Sequence, residues 1–167
     1  MTDWITADWH LGHEAIIHFC NRPFQNTHQM EKILVKNVNS LVKEDDCLYF
    51  LGDLFWGGTD KANNLGHILQ KIKGRKILIL GNHDRIKPLS YIDLGIESVH
   101  TSLRYKMLNV MMVHDPAWAA AIPRDWVVLC GHIHDLFKVS RNVVNVGVDV
   151  WDFKPVKIDD VIKLIER

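Results

Sequence analysis

The segment Val127–His134 reads VVLCGHIH, a run of four apolar residues followed at once by glycine and by two histidines. Short continuous apolar runs that are bounded by Gly, Asn or Asp are typical of buried β-strands. His132 and His134 therefore follow the carboxyl end of a predicted strand. This placement indicates both the kind of fold and the position of a site within it.

The same pattern occurs four more times along the chain, each time with an apolar run followed by polar side chains. Asp8 and His10 follow residues 5–7, Asp53 follows CLYFL (47–51), Asn82 follows ILIL (77–80), and His114 follows VMMV (110–113). A last apolar run, NVVNVGVDV, covers residues 142–150. Ligands bind at the carboxyl ends of strands in open α/β sheets, so five predicted strands carry polar groups to one edge.

Helical patterns lie between the predicted strands. One apolar face predicts a helix over about residues 28–43, and a second face over residues 65–72 has Asp60 as a candidate N-cap and Gly74 as a stop. A short C-terminal helix is expected after Asp159, and residues 98–113 are expected to add a hairpin. Strands that alternate with helices predict an α/β fold.

The bulk composition limits the classes of function. A chain of 167 residues fits one domain, which we expect to span residues 1–167. The formal net charge is zero, which weighs against sequence-independent binding to nucleic-acid duplexes. A small anionic substrate remains compatible with this charge, because bound metal ions bring charge of their own.

Cysteine usage and the first residues predict a cytoplasmic protein. Cys20, Cys47 and Cys130 are odd in number and contain no CxxC pair, so a reducing compartment is favoured over a disulfide framework. The chain opens without a basic stretch or an apolar signal segment, and no apolar run approaches membrane-spanning length. We therefore expect no membrane partner, while the oligomeric state is left open by the sequence.

The polar residues at the strand ends share one kind of chemistry. Carboxylate, imidazole and amide oxygen are ligands that suit divalent zinc, iron or manganese. Asp8 and His10 are two residues apart, as are His132 and His134, so in an extended strand each pair would point to one side. Each pair can hold one ion or divide between two. The ligands are too many for one ion, which favours a two-metal hydrolytic site.

The order of these motifs resembles that of the calcineurin-like metallophosphoesterase superfamily. DxH at residue 8, GD at 52, GNHD at 81 and GHxH at 131 carry the resemblance, which extends from Asp8 to His134. The segments DWHLGHEAII, NRPF, LGDLFW and NVGVDVWDFKP look like a small single-domain branch common in bacteria and phages. The resemblance implies a four-layer α-β-β-α sandwich of mixed sheets with the metal site at strand carboxyl ends.

The resemblance also implies a ligand set for two divalent ions. One ion would be held by Asp8, His10, Asp53 and His134, and the other by Asp53, Asn82, His114 and His132. Manganese is favoured among Mn, Fe, Zn, Co and Ni. With a bridging hydroxide as the nucleophile, such a centre carries roughly +1, which suits a phosphate anion. In the family, the histidine at the position of His114 often has an aromatic residue or glycine beside it. Here Asp115 follows His114, which predicts altered surroundings for that ligand.

Two residues are predicted to be catalytic without ligating metal. The resemblance places His83 near the scissile phosphate, where it would help the leaving group depart. Its neighbour Asp84 would hold the imidazole in the useful tautomer and raise its basicity. Loss of His83 should leave the metals in place and remove much of the activity.

Several other residues have two interpretations. His13 is either a substrate contact or support for the metal ligands, or else an ordinary core or surface histidine. Arg22 either contacts a phosphate in a bidentate manner or is a surface charge in a turn. The aromatic residues beside the motifs either wall a substrate pocket or pack at the rim of the sheet, and packing is favoured; they are Trp9, Phe55, Trp56 and Trp151.

The leading functional hypothesis is a metal-dependent hydrolase of phosphate esters, with a small phosphate-ester substrate. Phosphodiesters or nucleotide-type substrates are favoured over phosphoserine, because the chain lacks segments that would build a protein-docking surface. Phosphomonoesterase activity is the close alternative, and nuclease activity is less expected without a basic patch. A catalytically silent scaffold and a metal store are disfavoured, because the whole ligand set and His83 are present.

Overall fold

The computed structural model describes residues 1–58 and 61–165. Its strands are β1 (Asp3–Thr6), β2 (Cys47–Leu51), β3 (Arg75–Ile79), β4 (Ser98–His100), β5 (Leu103–Arg104), β6 (Val110–Met112), β7 (Val127–Cys130), β8 (Val139–Ser140), β9 (Val143–Asn145) and β10 (Val156–Lys157). Its α-helices are α1 (Glu14–Phe19), α2 (Thr27–Leu41), α3 (Ala62–Leu69), α4 (Pro88–Asp93) and α5 (Ile158–Ile162).

The strands form two mixed five-stranded sheets. The first has the order β10-β1-β2-β3-β4, in which β1 to β4 are parallel and β10 is antiparallel. The second has the order β5-β6-β7-β9-β8, with β6, β7 and β9 parallel and the two edge strands antiparallel. The five strands whose carboxyl ends carry the predicted ligands are therefore parallel to one another within each sheet, β1, β2 and β3 in the first and β6 and β7 in the second.

One hydrophobic core lies between the two sheets, and the alternation of side chains along each strand builds it. Val127 and Leu129 pack into this core, whereas Val128 and Cys130 pack on the outer face of the second sheet. Such strands are apolar on both faces because a sheet in the middle of a layered fold is covered twice.

Two outer layers complete the sandwich and confirm the predicted four-layer architecture. Helices α1 to α4 contribute to the core on the outer face of the first sheet. On the second sheet the cover includes the 3-10 helix Pro116–Ala121, whose Ala119 packs against Val128 and Cys130. Among the described residues, no helix combines the length and apolarity that crossing a bilayer requires.

Most of the predicted elements are present, with changed limits. Helix α2 begins at Thr27 after Asn26, whose side chain accepts a hydrogen bond from the Gln29 N–H at 2.9 Å. Helix α3 ends at Leu69 instead of continuing to Ile72, because the N–H groups of Lys71 and Ile72 bond three residues back and tighten the turn. The candidate cap Asp60 lies outside the described residues.

Two short helices and one sheet assignment differ from the sequence prediction. Helices α1 and α4 have six residues each, too few for a helical period to be visible. The predicted hairpin over residues 98–113 exists only in part, since β5 and β6 pair while β4 joins the first sheet. The last apolar run forms β9 and then a 3-10 helix at Val148–Val150.

Candidate metal centre

The loops after β1, β2, β3, β6 and β7 meet at one end of the sandwich. The Asp8 N–H donates to the Gly52 carbonyl at 3.1 Å, and the His10 N–H donates to the Asp53 carbonyl at 2.8 Å. The His132 N–H donates to the Asp8 carboxylate at 2.9 Å and joins the second sheet to the first. Residues that are up to 124 positions apart in sequence are thus held in one cluster.

Five of the predicted ligands lie in left-handed backbone conformations, which non-glycine residues seldom adopt. The φ angles are 58° for Asp8, 51° for His10, 50° for Asp53, 74° for His132 and 47° for His134. The two pairs thus lie after the ends of their strands, as predicted, and in a left-handed conformation instead of the extended one that would point each pair to one side. Such conformations cost roughly 1–3 kcal/mol each and cluster at functional sites.

Asp53 lies between two groups of metal-binding side chains. One group is Asp8, His10 and Asp53, the other is Asp53, His114 and His132, and within each group the ligand atoms lie within 4.8 Å of one another. Oδ2 of Asp53 is 3.4 Å from Nε2 of His10 and 3.4 Å from Nε2 of His114. This arrangement fits two neighbouring cations that share the Asp53 carboxylate.

The second group is oriented by the protein backbone. Nδ1–H of His114 donates to the Leu51 carbonyl at 2.8 Å, which directs Nε2 toward Oδ1 of Asn82 at 2.9 Å. The same Asn82 oxygen lies 3.0 Å from Nδ1 of His132. A backbone acceptor on the far nitrogen is the usual way in which a metal-binding imidazole is fixed.

His10 provides the clearest fit to a cation. Both of its ring nitrogens are buried and have no hydrogen-bond partner among the described residues. Burial lowers the pKa of His10 to about 3, so its imidazole is neutral and offers a free lone pair. Buried polar atoms are almost always paired, and a divalent ion between His10 and Asp53 would pair this one.

The electrostatics of the second group point the same way. Burial lowers the pKa of His114, but Asp53 and Asp8 outweigh it and raise that pKa to about 9. Burial also raises the pKa of Asp53, but the hydrogen bond and charge of His114 hold it at about 2. In the protein chain alone, the proton on His114 therefore balances the carboxylates where a cation would lie.

Glycines at two motif positions let the ligands approach. A Cβ atom at Gly52 would overlap with the His114 ring, and one at Gly81 would overlap with the Asp53 carboxylate. Gly52 also has a φ of 82°, in the left-handed region that favours glycine. The GD and GN pairs of the sequence thus reflect close packing around the ligands.

His83 lies at the centre, but Asp84 has a different role from the predicted one. Nε2 of His83 is 4.0 Å from Oδ2 of Asp53, and its buried Nδ1 has no hydrogen-bond partner within the described part of the chain. The Asp84 carboxylate instead accepts the N–H groups of Gly81 and Asp53, each at 2.8 Å, and that of Leu54 at 3.1 Å. Asp84 therefore holds two ligand-bearing loops together and does not orient the His83 ring.

Arg22 corrects a second prediction. The residue is 4% exposed, so it is not a surface charge. Its guanidinium donates to both carboxylate oxygens of Asp149, at 2.7 and 2.8 Å, and to the carbonyl oxygens of Asp8 and Trp9. These bonds use the donors that a phosphate would need, and they give the predicted phosphate contact no support.

A cavity of about 780 Å³ opens beside the cluster. His13 and Trp56 line it and stack on each other, with ring centres 3.9 Å apart. Trp9 and Phe55 are each 1% exposed, so packing is the correct interpretation for them. His13 thus lines the cavity beside the cluster, and its role in binding substrate remains a prediction.

Two residues of this region were not singled out by the sequence. Oδ2 of Asp149 lies within hydrogen-bond distance of His134, 3.0 Å from Nδ1 of that ring. Asn145 donates to the carbonyl oxygens of His134 at 2.7 Å and Phe137 at 2.9 Å, and so shapes the GHxH loop. Both lie in the NVVNVGVDV run, where polar residues inside an apolar stretch were the available signal.

Comparison with known proteins agrees with this geometry. The family model of calcineurin-like phosphoesterases matches residues 1–160. An uncharacterized protein of Methanocaldococcus jannaschii is 32% identical over 171 residues, which cover 98% of this chain and 91% of the relative.

Two solved structures share the fold. A protein of unknown function from Aquifex aeolicus matches with a TM-score of 0.74 and 23% identity over 98% of this chain and 99% of that one. The nuclease MPE of Pseudomonas putida matches with a TM-score of 0.53 and 20% identity over 79% of this chain and 61% of that one. At these identities the likeness concerns the fold.

Proposed function

We propose that this chain, which belongs to the calcineurin-like phosphoesterase family and is a metal-dependent phosphoesterase, hydrolyses phosphodiesters of the nucleotide type. The reaction would take place at a centre of two divalent ions. The observation that carries the two-ion centre is the position of Asp53 in both groups of metal-binding side chains. Manganese is the metal we favour.

The proposed ligands divide into two sets, one for each ion. Asp8, His10 and His134 would hold one ion, and Asn82, His114 and His132 the other, with Asp53 shared. The His134 ring centre lies 5.2 Å from that of His10, beside the first group. When bound, the ions would lower the pKa of water and stabilise the charge of an in-line displacement at phosphorus.

The chain's own part in the reaction rests on His83. Its side chain is 30% exposed and lines the cavity, so it can reach both solvent and a bound ester. We place its imidazole as the donor of a proton to the departing ester oxygen. The half-buried Asp84 keeps the His83 loop fixed against the Asp53 loop while this occurs.

The cavity favours a diester over a monoester. Among the described residues that line it, none is Lys or Arg, and Asp135 adds a negative charge. A phosphate monoester carries between one and two negative charges at neutral pH, and a diester carries one. Arg22 is committed to Asp149, and the Arg85 guanidinium, 5.7 Å from the Trp56 ring centre, is outside the lining.

The apolar part of the same cavity can receive the second ester group. Phe19 and Leu136 line it and are 75% and 74% exposed, and Trp56 lies deeper beside His83. Exposed apolar side chains at the mouth of a polar site commonly contact substrate. A base or another flat apolar substituent would bury this surface. A diester has an ester substituent on each side of phosphorus, so one can contact this surface while the other departs.

The test is a comparison of a mono- and a diester with the same leaving group. We expect p-nitrophenyl phosphate to be hydrolysed at least tenfold less efficiently than bis(p-nitrophenyl) phosphate with Mn²⁺. Short oligonucleotides are tested as further diester substrates, because one protein of similar fold is a nuclease. Asp53→Asn is the inactive reference and Asp160→Asn, an exposed aspartate, is the matched control. Equal or better hydrolysis of the monoester would overturn the diester assignment.

A further inference from the structure

We propose that Asp149, held by the buried Arg22, is a positioning residue that fixes the His134 ring for metal binding. The inference rests on the proposed function, since it concerns a ligand of the proposed centre. Oδ2 of Asp149 lies 3.0 Å from Nδ1 of His134, and the Asp149 side chain is 3% exposed. A proton on Nδ1 would be donated to this carboxylate, and Nε2 would be left as the ligand atom.

Arg22 makes this arrangement rigid. Its side chain is fully buried, and Nε and Nη2 donate to the two Asp149 oxygens. Nη2 also donates to the Asp8 carbonyl at 2.7 Å, and Nη1 to the Trp9 carbonyl at 3.1 Å. One buried cation therefore connects a ligand-bearing loop, the Asp149 turn and, through Asp149, His134.

The backbone around Asp149 is fixed to the same loop. Ala7 and Gly147 form a parallel bridge, and the Val148 N–H donates to the Ala7 carbonyl at 3.1 Å. The Asp149 turn thus moves with the end of β1, which carries Asp8. His134 receives its orientation from the part of the chain that also carries two ligands of the same ion.

A competing interpretation makes Asp149 a ligand itself. Cys20, His134 and Asp149 offer ligand atoms within 4.8 Å of one another, as a separate metal site would. However, both Asp149 oxygens accept from the Arg22 guanidinium, whose positive charge opposes a cation at the same carboxylate. The carboxylate therefore serves the imidazole and not a third ion.

The expected size of the effect follows from other metal sites. Carboxylates that accept from a ligating histidine fix its tautomer and raise its basicity, and their loss typically weakens metal binding 10- to 100-fold. Only the ion that His134 holds should be affected, because His114 is oriented separately by the Leu51 carbonyl.

The experiment is a titration of the metal-free protein with MnCl₂, followed by calorimetry, for wild type, Asp149→Asn and Cys20→Ser. Wild type should bind two Mn²⁺, Asp149→Asn should bind one of them about 10- to 100-fold more weakly, and Cys20→Ser should match wild type. Saturating Mn²⁺ should restore most of the turnover of Asp149→Asn, which a purely structural role would not predict. Unchanged affinities in Asp149→Asn would overturn the proposal, as would a third Mn²⁺ that both variants lose.

Two additions keep the outcome interpretable. If Asp149→Asn does not fold because Arg22 is left unpaired, the double variant Arg22→Met with Asp149→Asn removes both buried charges together. The same weakening of one site is expected there, and wild-type affinity would refute the proposal. Failure of the proposed function is separate: a wild type that binds two Mn²⁺ but hydrolyses no ester refutes the function, whereas the titration still tests Asp149.

Discussion

Two buried aspartates flank β2, and they differ in what surrounds them. Asp46, before the strand, accepts the Thr2 N–H at 2.6 Å, the Lys43 N–H at 3.1 Å and the Trp4 indole N–H at 3.1 Å. Asp53, after the strand, accepts one N–H from His83 through Oδ1, while its Oδ2 faces the rings of His10 and His114.

The difference separates a structural carboxylate from a functional one. The donors around Asp46 are backbone and indole groups that the fold itself provides, so its charge is satisfied without any ligand. Oδ2 of Asp53 faces the imidazoles of His10 and His114, and all three groups can bind a cation. The same residue type thus stabilises the fold at one end of β2, and at the other end it presents Oδ2 to two imidazoles that are predicted metal ligands.

The largest expected effect is that of Asp53→Asn. The amide cannot balance two cations, so we expect kcat/KM for bis(p-nitrophenyl) phosphate to fall on the order of 10³-fold, about 4 kcal/mol. Steady-state kinetics with Mn²⁺ and metal analysis of the purified variant measure this. Activity within tenfold of wild type would place Asp53 with Asp46 as a structural residue.

His83→Ala should have the next largest effect. Loss of a proton donor is expected to lower kcat roughly 10²-fold or more with unchanged metal content. The loss should be smaller for a nitrophenolate leaving group, which departs without a proton, than for an alkoxide. His67→Ala, in α3 and outside the centre, is the control; equal losses for both leaving groups would argue against proton donation.

Asp46→Asn tests the structural side of the comparison. We expect the free energy of unfolding to fall by about 2 kcal/mol, because charged hydrogen bonds to backbone and indole donors are weakened. We expect kcat/KM to stay within about twofold, since Asp46 is remote from the cavity. Chemical denaturation gives the stability, and a large loss of activity in the folded variant would contradict the division.

The difference in stability between wild type and Asp46→Asn should depend on pH. The Lys43 N–H, with those of Thr2 and Trp4, lowers the pKa of Asp46 in the folded protein. A lowered pKa stabilises the fold above the unfolded value of about 3.9, and this contribution disappears as the pH falls through the folded pKa. The stability difference between wild type and Asp46→Asn should therefore be constant at neutral pH and shrink in acid below about pH 4.

The smallest expected effect concerns the cavity mouth. Replacing Phe19 and Leu136 together by alanine should raise KM for an aromatic diester about fivefold, near 1 kcal/mol, with kcat little changed. A methyl phosphodiester should show no such change. Leu89→Ala, an exposed apolar residue elsewhere, is the control; an equal change for both diesters would remove these residues from substrate binding.

The sequence was sufficient for the positions of the site residues along the chain. Strand ends can be located from apolar runs such as CLYFL and VVLC, and the parallel order of the strands then brings Asp53 and His132 to the same end. The four-layer sandwich followed from the resemblance and is confirmed, because the alternation in β7 covers both faces of its sheet.

The contacts between site residues could not be predicted in the same way. Arg22 and Asp149 are 127 positions apart, and no local pattern pairs them. The sequence neighbour Asp84 was assigned to His83 because adjacency suggested it, yet its carboxylate turns toward the Gly81 and Asp53 N–H groups. Backbone direction after a strand decides such contacts, and it is set by tertiary structure.

The left-handed ligands have a consequence for how such a chain changes over generations. Glycine at the positions of His10 or His132 would relieve about 1 kcal/mol of backbone strain at each. If only the folded state had to be kept, such substitutions would be favoured. The protein would then gain thermal stability while it lost the proposed centre. Imidazoles held at such angles thus cost the folded state stability, as side chains that a chemical role requires often do.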